Sequence, residues 1–410
     1  MTNPEFWGDL AERYTTTVPR KMLALDGGGI RGVLTLSILK AIETQLGVKR
    51  LCDYFDYIAG TSTGAIIASG LAMGKTVDEL IDFYRTTGTA MFEKTRYLER
   101  LNSLYRNGPL ENQLKAVFGE HTDLNPPRAG MPDRGRRLKT LLLVVTRNVT
   151  TDSPWPISSN PEARYNRPDR KDCNLCIPLW KLVRASTAAP IYFPPEVIEI
   201  DADDRNKDFV FVDGGVTPYN NPAFALYRFA TQPAYRLNWP TGERHLQLVS
   251  VGTGAGATAG ATADAPESNM LSTGLGVPTA LMYGALVDQD VNCRTIGRCT
   301  YGDVIDRELL DMVPREGPDE GSLEARLERR PVPLEVDMGR HFLYTRYNVE
   351  LTTKGLGALG FGHVDPAETQ KLDKADPKHV QLLLDIGAAA ARQVDVRAHF
   401  GPFAPSSASA

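Results

Sequence analysis

The first 150 residues alternate short apolar runs with longer segments whose apolar residues recur every three or four positions. Met22 to Leu25 is a short apolar run, and from Ile30 onward the recurring residues give one apolar face: Val33, Leu36, Leu39, Ile42 and Leu46. This pattern predicts a strand followed by a helix with one buried side. A second apolar run precedes Gly60, and Leu141 to Thr146 is continuously apolar, as in a strand covered on both faces.

The same alternation continues beyond residue 70. Helices are predicted after a capping box at Thr76 to Glu79, at Leu110 to Phe118 and at Pro377 to Val394. Further strands are predicted at these runs: Val197 to Ile200, Phe209 to Val212, Leu246 to Val251 and Phe342 to Val349. Strands separated by helices predict an α/β fold with a largely parallel sheet.

The composition is that of an ordinary globular protein. Apolar residues make up 42%, charged residues 23%, and the net charge of −4 gives no general attraction to nucleic acid. The polar N-terminus lacks a signal-peptide core, and no apolar run is long enough to span a bilayer. We therefore expect a cytoplasmic protein that is soluble or peripheral to the membrane.

The five cysteines favour free thiols in a reducing compartment. Cys173 and Cys176 form a C-x-x-C pair, but Cys293 and Cys299 are spaced more loosely than in a zinc ribbon. We expect neither a metal nor a cofactor.

Gly60-Thr61-Ser62-Thr63-Gly64 is a G-x-S-x-G pentapeptide between an apolar run and a helical pattern. A strand, a sharp turn centred on serine and a helix describe a nucleophile elbow. Its serine hydroxyl lies at a helix N-terminus, where backbone amides favour negative charge. Ser62 is therefore the candidate nucleophile.

A glycine-rich segment, Asp26 to Gly32, follows the first predicted strand. Gly27, Gly29 and Gly32 match the spacing of a dinucleotide-binding loop, although the next strand ends at the serine rather than at a ribose-binding acid. The second interpretation is an oxyanion hole, because successive glycine amides at a helix N-terminus bind anions. Asp26 itself is a candidate base.

A third segment, Phe209 to Gly215, is an apolar strand that ends in Asp213 and two glycines. Asp213 would lie at the sheet edge where Ser62 emerges, and its carboxylate is a candidate general base. The alternative is an Asp-Gly turn whose side chain bonds its own backbone.

Together DGGGIRG, GTSTG and the DGG at Asp213 resemble the three signature blocks of patatin-like phospholipases. Arg184 to Pro195, Asn220 to Pro222 and Val251 to Gly254 resemble further blocks of that family, in order. The resemblance implies a three-layer α/β sandwich and a Ser62–Asp213 dyad that acts through an acyl-enzyme on lipid esters. It also implies an oxyanion hole formed by these residues: Gly27, Gly28, Gly29, Arg31 and Thr63.

The resemblance extends over residues 20–255 only, and the sequence as a whole suggests a domain organisation. Residues 1–20 are expected to form an N-terminal lead and residues 20–255 the patatin-like catalytic core. Residues 256–400 form a C-terminal part packed on the core with a regulatory or lid role, and 401–410 a disordered tail.

A weaker resemblance, in block spacing and C-terminal extension, is to effectors of anti-phage defence activated by cyclic dinucleotides. This weaker resemblance implies two partners: a cyclic dinucleotide as activator and a phospholipid membrane surface. The active protein would then lie at the inner face of the membrane. The loop from Asn148 to Asp172 is the expected membrane contact.

Two other functions remain open. His341 or His363 would complete a conventional Ser-His-Asp triad of an esterase with different specificity. The second open function is that of a storage or nucleotide-binding protein without catalytic activity. Such a protein does not need the serine, the aspartate and the glycine loop together.

Overall fold

The computed structural model describes residues 4–91, 107–126, 137–167, 170–190, 192–201, 203–256, 270–318 and 320–405. Nine strands within these residues form one sheet. Their bounds are β1 Arg20–Leu25, β2 Tyr57–Thr61, β3 Leu141–Asn148, β4 Ser153–Ser158, β5 Glu196–Glu199, β6 Asp208–Asp213, β7 Leu246–Val251, β8 Arg298–Tyr301 and β9 Leu343–Tyr347.

The helices flank this sheet. Their bounds are α1 Pro4–Trp7, α2 Ala11–Thr15, α3 Gly32–Leu46, α4 Leu51–Tyr54, α5 Thr63–Ala72, α6 Val77–Met91, α7 Asn107–Phe118, α8 Leu179–Ser186, α9 Ala223–Thr231, α10 Met270–Ile296, α11 Leu323–Leu327, α12 Thr353–Ala358, α13 Pro366–Thr369, α14 Pro377–Ala390 and α15 Val396–Phe400. No helix in these described ranges is both long and apolar enough to cross a bilayer.

Local sequence explains where several helices begin and end. Thr76 accepts a hydrogen bond from the Glu79 amide and Glu79 accepts one from the Thr76 amide, so the predicted capping box before α6 is confirmed. α3 ends at Gly47, whose φ of 67° is the left-handed conformation that glycine adopts readily. α14 begins at Pro377, after Asp376 has capped the His379 amide.

The sheet is mixed, and its centre is parallel. The strand order is β5-β6-β3-β2-β1-β7-β9-β8, with β4 also paired to β3. All neighbours from β3 to β8 in this order are parallel, whereas β4, β5 and β6 pair antiparallel. The predicted α/β fold with a largely parallel sheet is confirmed.

Two apolar clusters lie on the two faces of the sheet. In β1, Leu23 and Leu25 belong to one cluster, whereas Met22 and Ala24 belong to the other. The first cluster packs the sheet against α3, α5 and α14, and the second packs it against α9 and the N-terminal helices. The result is a three-layer sandwich, because the central strands β1, β2 and β7 bury residues on both faces.

Two strands approach each other along one edge of β3. β4 pairs with β3 from Leu143 to Asn148 and so occupies one edge of β3. On the remaining edge, β2 pairs up to Val145 and β6 begins its pairing at Thr146. Since β6 is antiparallel to β3, the carboxyl ends of β2 and β6 meet at adjacent positions.

Some elements differ from the sequence predictions. β4 lies inside the segment Asn148 to Asp172, where Pro154 and Pro156 suggested a loop; prolines are tolerated on an edge strand such as this. The predicted disorder from Gly401 is wrong for its first residues. Gly401–Phe403 form a turn, Phe403 is buried, and its carbonyl accepts a hydrogen bond from the Tyr54 hydroxyl. Residues 406–410 lie outside the described residues.

The C-terminal part contributes to the sheet and binds the glycine loop. β9 pairs with β7, and its Arg346 contacts the Asp26 carboxylate through both terminal nitrogens, at 2.9 and 2.5 Å. Arg346 also donates to the Ser250 hydroxyl at 2.7 Å. Asp26 is fully buried and Arg346 nearly so. This ion pair fixes the residue at which β1 passes into the glycine loop.

We expect Arg346→Met to lower the free energy of unfolding by about 3–5 kcal/mol, because it leaves the Asp26 charge buried without a partner. Chemical denaturation monitored by circular dichroism measures the change. The double variant Asp26→Asn with Arg346→Met should recover part of the loss. Equal stability of the wild type and the single variant would contradict a structural role for the pair.

Candidate active site

Ser62 occupies the sharp turn between β2 and α5. Its φ of 54° and ψ of −122° are a conformation that residues other than glycine rarely adopt. The flanking glycines allow this turn: a side chain on Gly60 would overlap the Gly64 carbonyl, and one on Gly64 would overlap the Leu25 carbonyl. The geometry is that of a nucleophile elbow.

The Ser62 hydroxyl donates a hydrogen bond to Asp213 Oδ2 at 2.7 Å. Asp213 ends β6 opposite Thr146, next to the position at which β2 ends. Its other oxygen, Oδ1, accepts from the Gly215 amide at 2.7 Å. The Asp-Gly turn and the contact with serine therefore coexist, one on each carboxylate oxygen.

Asp213 is buried, and burial raises the pKa of its carboxyl to about 6, against the lowering effect of the Gly215 and Ser62 hydrogen bonds. A carboxylate in this state accepts a proton more readily than an ordinary aspartate does. Half-buried Ser62 and buried Asp213 thus form a donor and acceptor pair suited to nucleophile activation.

Ser186 is a site residue that the sequence analysis did not single out. The Ser62 amide donates to Ser186 Oγ at 2.9 Å, and Ser186 in turn donates to the Val145 carbonyl at 2.7 Å. Ser186 ends α8 within the Arg184 to Pro195 segment, so the signal was in a block already noted for its family resemblance. Its role is to hold the elbow backbone against β3.

Three residues next to Ser62 bring unpaired backbone amides to the cavity wall. Gly28, Gly29 and Thr63 line it, and within the described parts of the chain their amides have no hydrogen-bond partner. Gly28 packs so closely on Thr253, and Gly29 on the Leu372 carbonyl, that a side chain at either position would overlap. Amides in this arrangement can stabilise an oxyanion beside the serine.

Two residues expected in the oxyanion hole lie elsewhere. The Gly27 amide donates to the Asn220 carbonyl at 3.0 Å, so it cannot also bind an oxyanion. Gly27 and Arg31 line a second cavity instead of the one that contains Ser62. The reason is geometric: β1 directs Gly27 toward Asn220, and the turn after Gly29 directs Arg31 away from the serine.

The cavity at Ser62 has a volume of about 430 Å³. Its lining is mostly apolar and includes Ile66, Tyr84, Met91, Leu110, Pro190, Tyr192, Phe193, Val216, Met282 and Leu372. Such a lining suits an acyl chain, with the few polar groups concentrated at the serine end.

The alternative bases do not reach this cavity. All six histidines are among the described residues, and none lines the cavity. His341 instead contacts the Tyr227 hydroxyl at 2.7 Å, and His363 is exposed. Asp26 is bound by Arg346. Of the candidate bases, only Asp213 contacts Ser62.

Within the residues that the structure describes, no cluster of histidine, cysteine, aspartate or glutamate is arranged to hold a metal ion. A serine elbow, an adjacent carboxylate and a loop of unpaired amides define a site of the serine-hydrolase type.

Comparison with known proteins gives the family. The patatin-like phospholipase family matches residues 23–227, which include Ser62, Asp213 and the glycine loop. The chain belongs to the patatin-like phospholipase family.

Individual relatives are similar at moderate identity. A cGAMP-activated phospholipase of Vibrio cholerae is 32% identical, over 50% of this chain and 56% of its own. An intracellular phospholipase A2 of Caenorhabditis elegans is 29% identical, over 67% of this chain and 21% of its own. Patatin group J-1 of Solanum tuberosum is 26% identical, over 60% of this chain and 64% of its own. The first of these matches spans about half the length of each chain.

Proposed function

We propose that this protein is a lipid acyl hydrolase of the phospholipase A type, with Ser62 as nucleophile and Asp213 as general base. The observation that carries the proposal is the 2.7 Å hydrogen bond between the two side chains, both of which line a mostly apolar cavity. Family membership supports the same activity.

In the first step, the Ser62 oxygen attacks the ester carbonyl carbon and its proton passes to Asp213. The carbonyl oxygen becomes an oxyanion that the amides of Gly28, Gly29 and Thr63 stabilise. When the bond to the leaving alcohol breaks, Asp213 returns the proton to that alcohol. The fatty acyl group remains on Ser62.

In the second step, water replaces the alcohol. Asp213 accepts a proton from the water as its oxygen attacks the acyl carbon. The bond to Ser62 then breaks, the serine recovers its proton from Asp213, and a fatty acid leaves. One carboxylate therefore serves both steps, and no histidine takes part.

We expect Ser62→Ala and Asp213→Asn each to reduce fatty acid release from phospholipid vesicles by about 10²–10⁴-fold, since each removes one half of the proton transfer. Mass spectrometry of the released fatty acids measures the loss. His341→Ala and His363→Ala are the matched controls and should keep wild-type rates. Fatty acid release by Ser62→Ala at the wild-type rate would contradict the proposal.

The pH dependence follows from Asp213. Because the base must be ionised and its pKa is raised to about 6, kcat/KM should rise with pH up to about 6 and then level off. Below that pH the rate should fall about tenfold per unit as the carboxyl gains a proton. The rate should be measured with a soluble neutral ester as substrate, because the ionisation of a phospholipid would itself change with pH. A profile with no inflection between pH 5 and pH 7 would contradict the assignment of Asp213 as base.

We further propose that the protein reaches its substrate by peripheral contact with the cytoplasmic face of the membrane. Three exposed apolar side chains on or next to residues that line the cavity support this contact: Val216, Leu281 and Tyr283. Val216 lines the cavity, and so does Met282, which lies between the other two. By contrast, none of the described residues from Asn148 to Asp172 lines it.

We also propose that a cyclic dinucleotide activates the enzyme, so that it degrades the membrane during phage infection. Support comes from relatives named cGAMP-activated phospholipases in Vibrio cholerae and Escherichia coli. With vesicle substrate, cyclic GMP–AMP should raise the rate of fatty acid release by about tenfold or more, the size typical of allosteric coupling. Ser62→Ala is the blank, and equal rates with and without the nucleotide would contradict this regulation.

A further inference from the structure

Cys173 and Cys176 form a pair of thiols on the turn that precedes α8. The Cys176 amide donates a hydrogen bond to the Cys173 carbonyl at 3.1 Å, so the two residues are the first and last of a closed four-residue turn. The thiols also contact each other, because the Cys176 side chain is a hydrogen-bond partner of the Cys173 side chain. Neither of these two described residues lines the cavity that contains Ser62.

The backbone of this turn already suits a disulfide. Such a turn brings its first and last Cα atoms within about 7 Å, and a disulfide joins Cα atoms about 4.4–6.8 Å apart. The two residues between the cysteines are held by neighbouring segments. The Asn174 amide donates to the Tyr165 carbonyl at 2.9 Å, and the carbonyl of fully buried Leu175 accepts from the Leu124 amide at 3.0 Å. The two sulfurs can therefore be joined without a rearrangement of the chain.

The two thiols differ in their access to solvent. Cys176 is exposed, whereas Cys173 is buried. The hydrogen bond with Cys176 and burial raise the pKa of the Cys173 thiol, against the lowering effect of the Leu175 and Cys176 backbone amides. Cys173 therefore keeps its proton at neutral pH, and an oxidant that arrives from solvent meets Cys176 first.

The other three cysteines are shielded from the same chemistry. Cys52, Cys293 and Cys299 are at most 1% exposed. Burial raises the pKa of the Cys52 thiol to about 11 and that of the Cys299 thiol to about 12. It also raises the pKa of the Cys293 thiol. Because the thiolate is the reactive form, thiol oxidation should be confined to Cys173 and Cys176.

We propose that Cys173 and Cys176 are a redox modification site, which a hydroperoxide converts from a dithiol to a disulfide. The Cys176 sulfur attacks the terminal oxygen of the hydroperoxide, and the O–O bond breaks. This step leaves a sulfenic acid on Cys176 and releases an alcohol, or water when the oxidant is hydrogen peroxide.

The second step closes the disulfide. The Cys173 sulfur attacks the Cys176 sulfur, the S–O bond breaks, and the departing hydroxide takes up the Cys173 proton to become water. The two thiols together lose two electrons, and the hydroperoxide gains them. A dithiol reductant reverses the reaction by thiol–disulfide exchange at the exposed Cys176.

The test uses the full chain, reduced with dithiothreitol, freed of the reductant and treated with hydrogen peroxide. Iodoacetamide in denaturant then labels the remaining thiols before digestion with trypsin. Cleavage after Lys171 and Lys181 gives a peptide, residues 172–181, that contains Cys173 and Cys176 and no other cysteine. By mass spectrometry, we expect this peptide to lose both labels and to weigh less than the dithiol by two hydrogen atoms. Dithiothreitol should restore both labels.

Three variants separate the roles of the two sulfurs. Cys173→Ser removes the second sulfur, so dimedone should trap the sulfenic acid at Cys176. Cys176→Ser removes the exposed sulfur, so Cys173 should keep its label through the same peroxide treatment. Cys52→Ser removes a buried thiol outside the pair and is the matched control, in which the disulfide should form as in the wild type. Thermal unfolding of each variant shows whether it is folded.

Retention of both labels in the wild type after peroxide treatment would overturn the inference. So would a sulfinic acid at Cys176 with Cys173 still labelled, because Cys173 would then have failed to reach the sulfenic acid. Both results are read from the wild-type chain, so they stand even if a variant does not fold. Since Ser62 takes no part in this chemistry, neither result bears on the proposed lipid hydrolysis.

Discussion

The contact between Ser62 and Asp213 depends on two strands sharing one edge of β3. β4 occupies the other edge, so β2 and β6 must follow each other along the one that remains, and they run toward each other. Their ends meet at Val145 and Thr146, which places Ser62 and Asp213 within a hydrogen bond. A shift of β6 by one residue would turn Asp213 to the opposite face of the sheet. The hydrogen bond between Ser62 and Asp213 is therefore a consequence of strand register.

The same arrangement accounts for the chemistry available to the pair. Because β6 ends inside the sheet rather than at its solvent edge, Asp213 is buried and its pKa is raised to about 6. Its second oxygen is satisfied by the Gly215 amide, so the carboxylate keeps one orientation toward Ser62. Ser62 in turn is held in a strained backbone conformation, with its amide bound by Ser186. Strain of this kind costs about 1–3 kcal/mol and persists only where the surrounding fold enforces it.

Much of the fold and of the site could be predicted from local sequence. The pattern of Val33, Leu36 and Leu39 indicates α3, and the glycines around Ser62 indicate the elbow, because both signals depend on neighbouring residues alone. The direction of β6 could not be predicted: Asp213 was expected at the common carboxyl edge of parallel strands, whereas it reaches Ser62 from an antiparallel strand. The binding of Asp26 by Arg346, 320 residues away, and the placement of Arg31 outside the cavity at Ser62 also depend on contacts that leave no local pattern.

The C-terminal part lies outside the predicted catalytic core, yet two of its residues hold the glycine loop in place. Leu372 accepts a hydrogen bond from the Ile30 amide at 2.8 Å, and its carbonyl fills the space beside Gly29 that any side chain there would need. Arg346 fixes Asp26 at the start of the same loop. The loop is thus held at both ends by residues far along the chain, while the amides of Gly28 and Gly29 stay free of partners within the described structure. Because Leu372 also lines both cavities, any movement of its segment would alter the glycine loop and the walls of both cavities together.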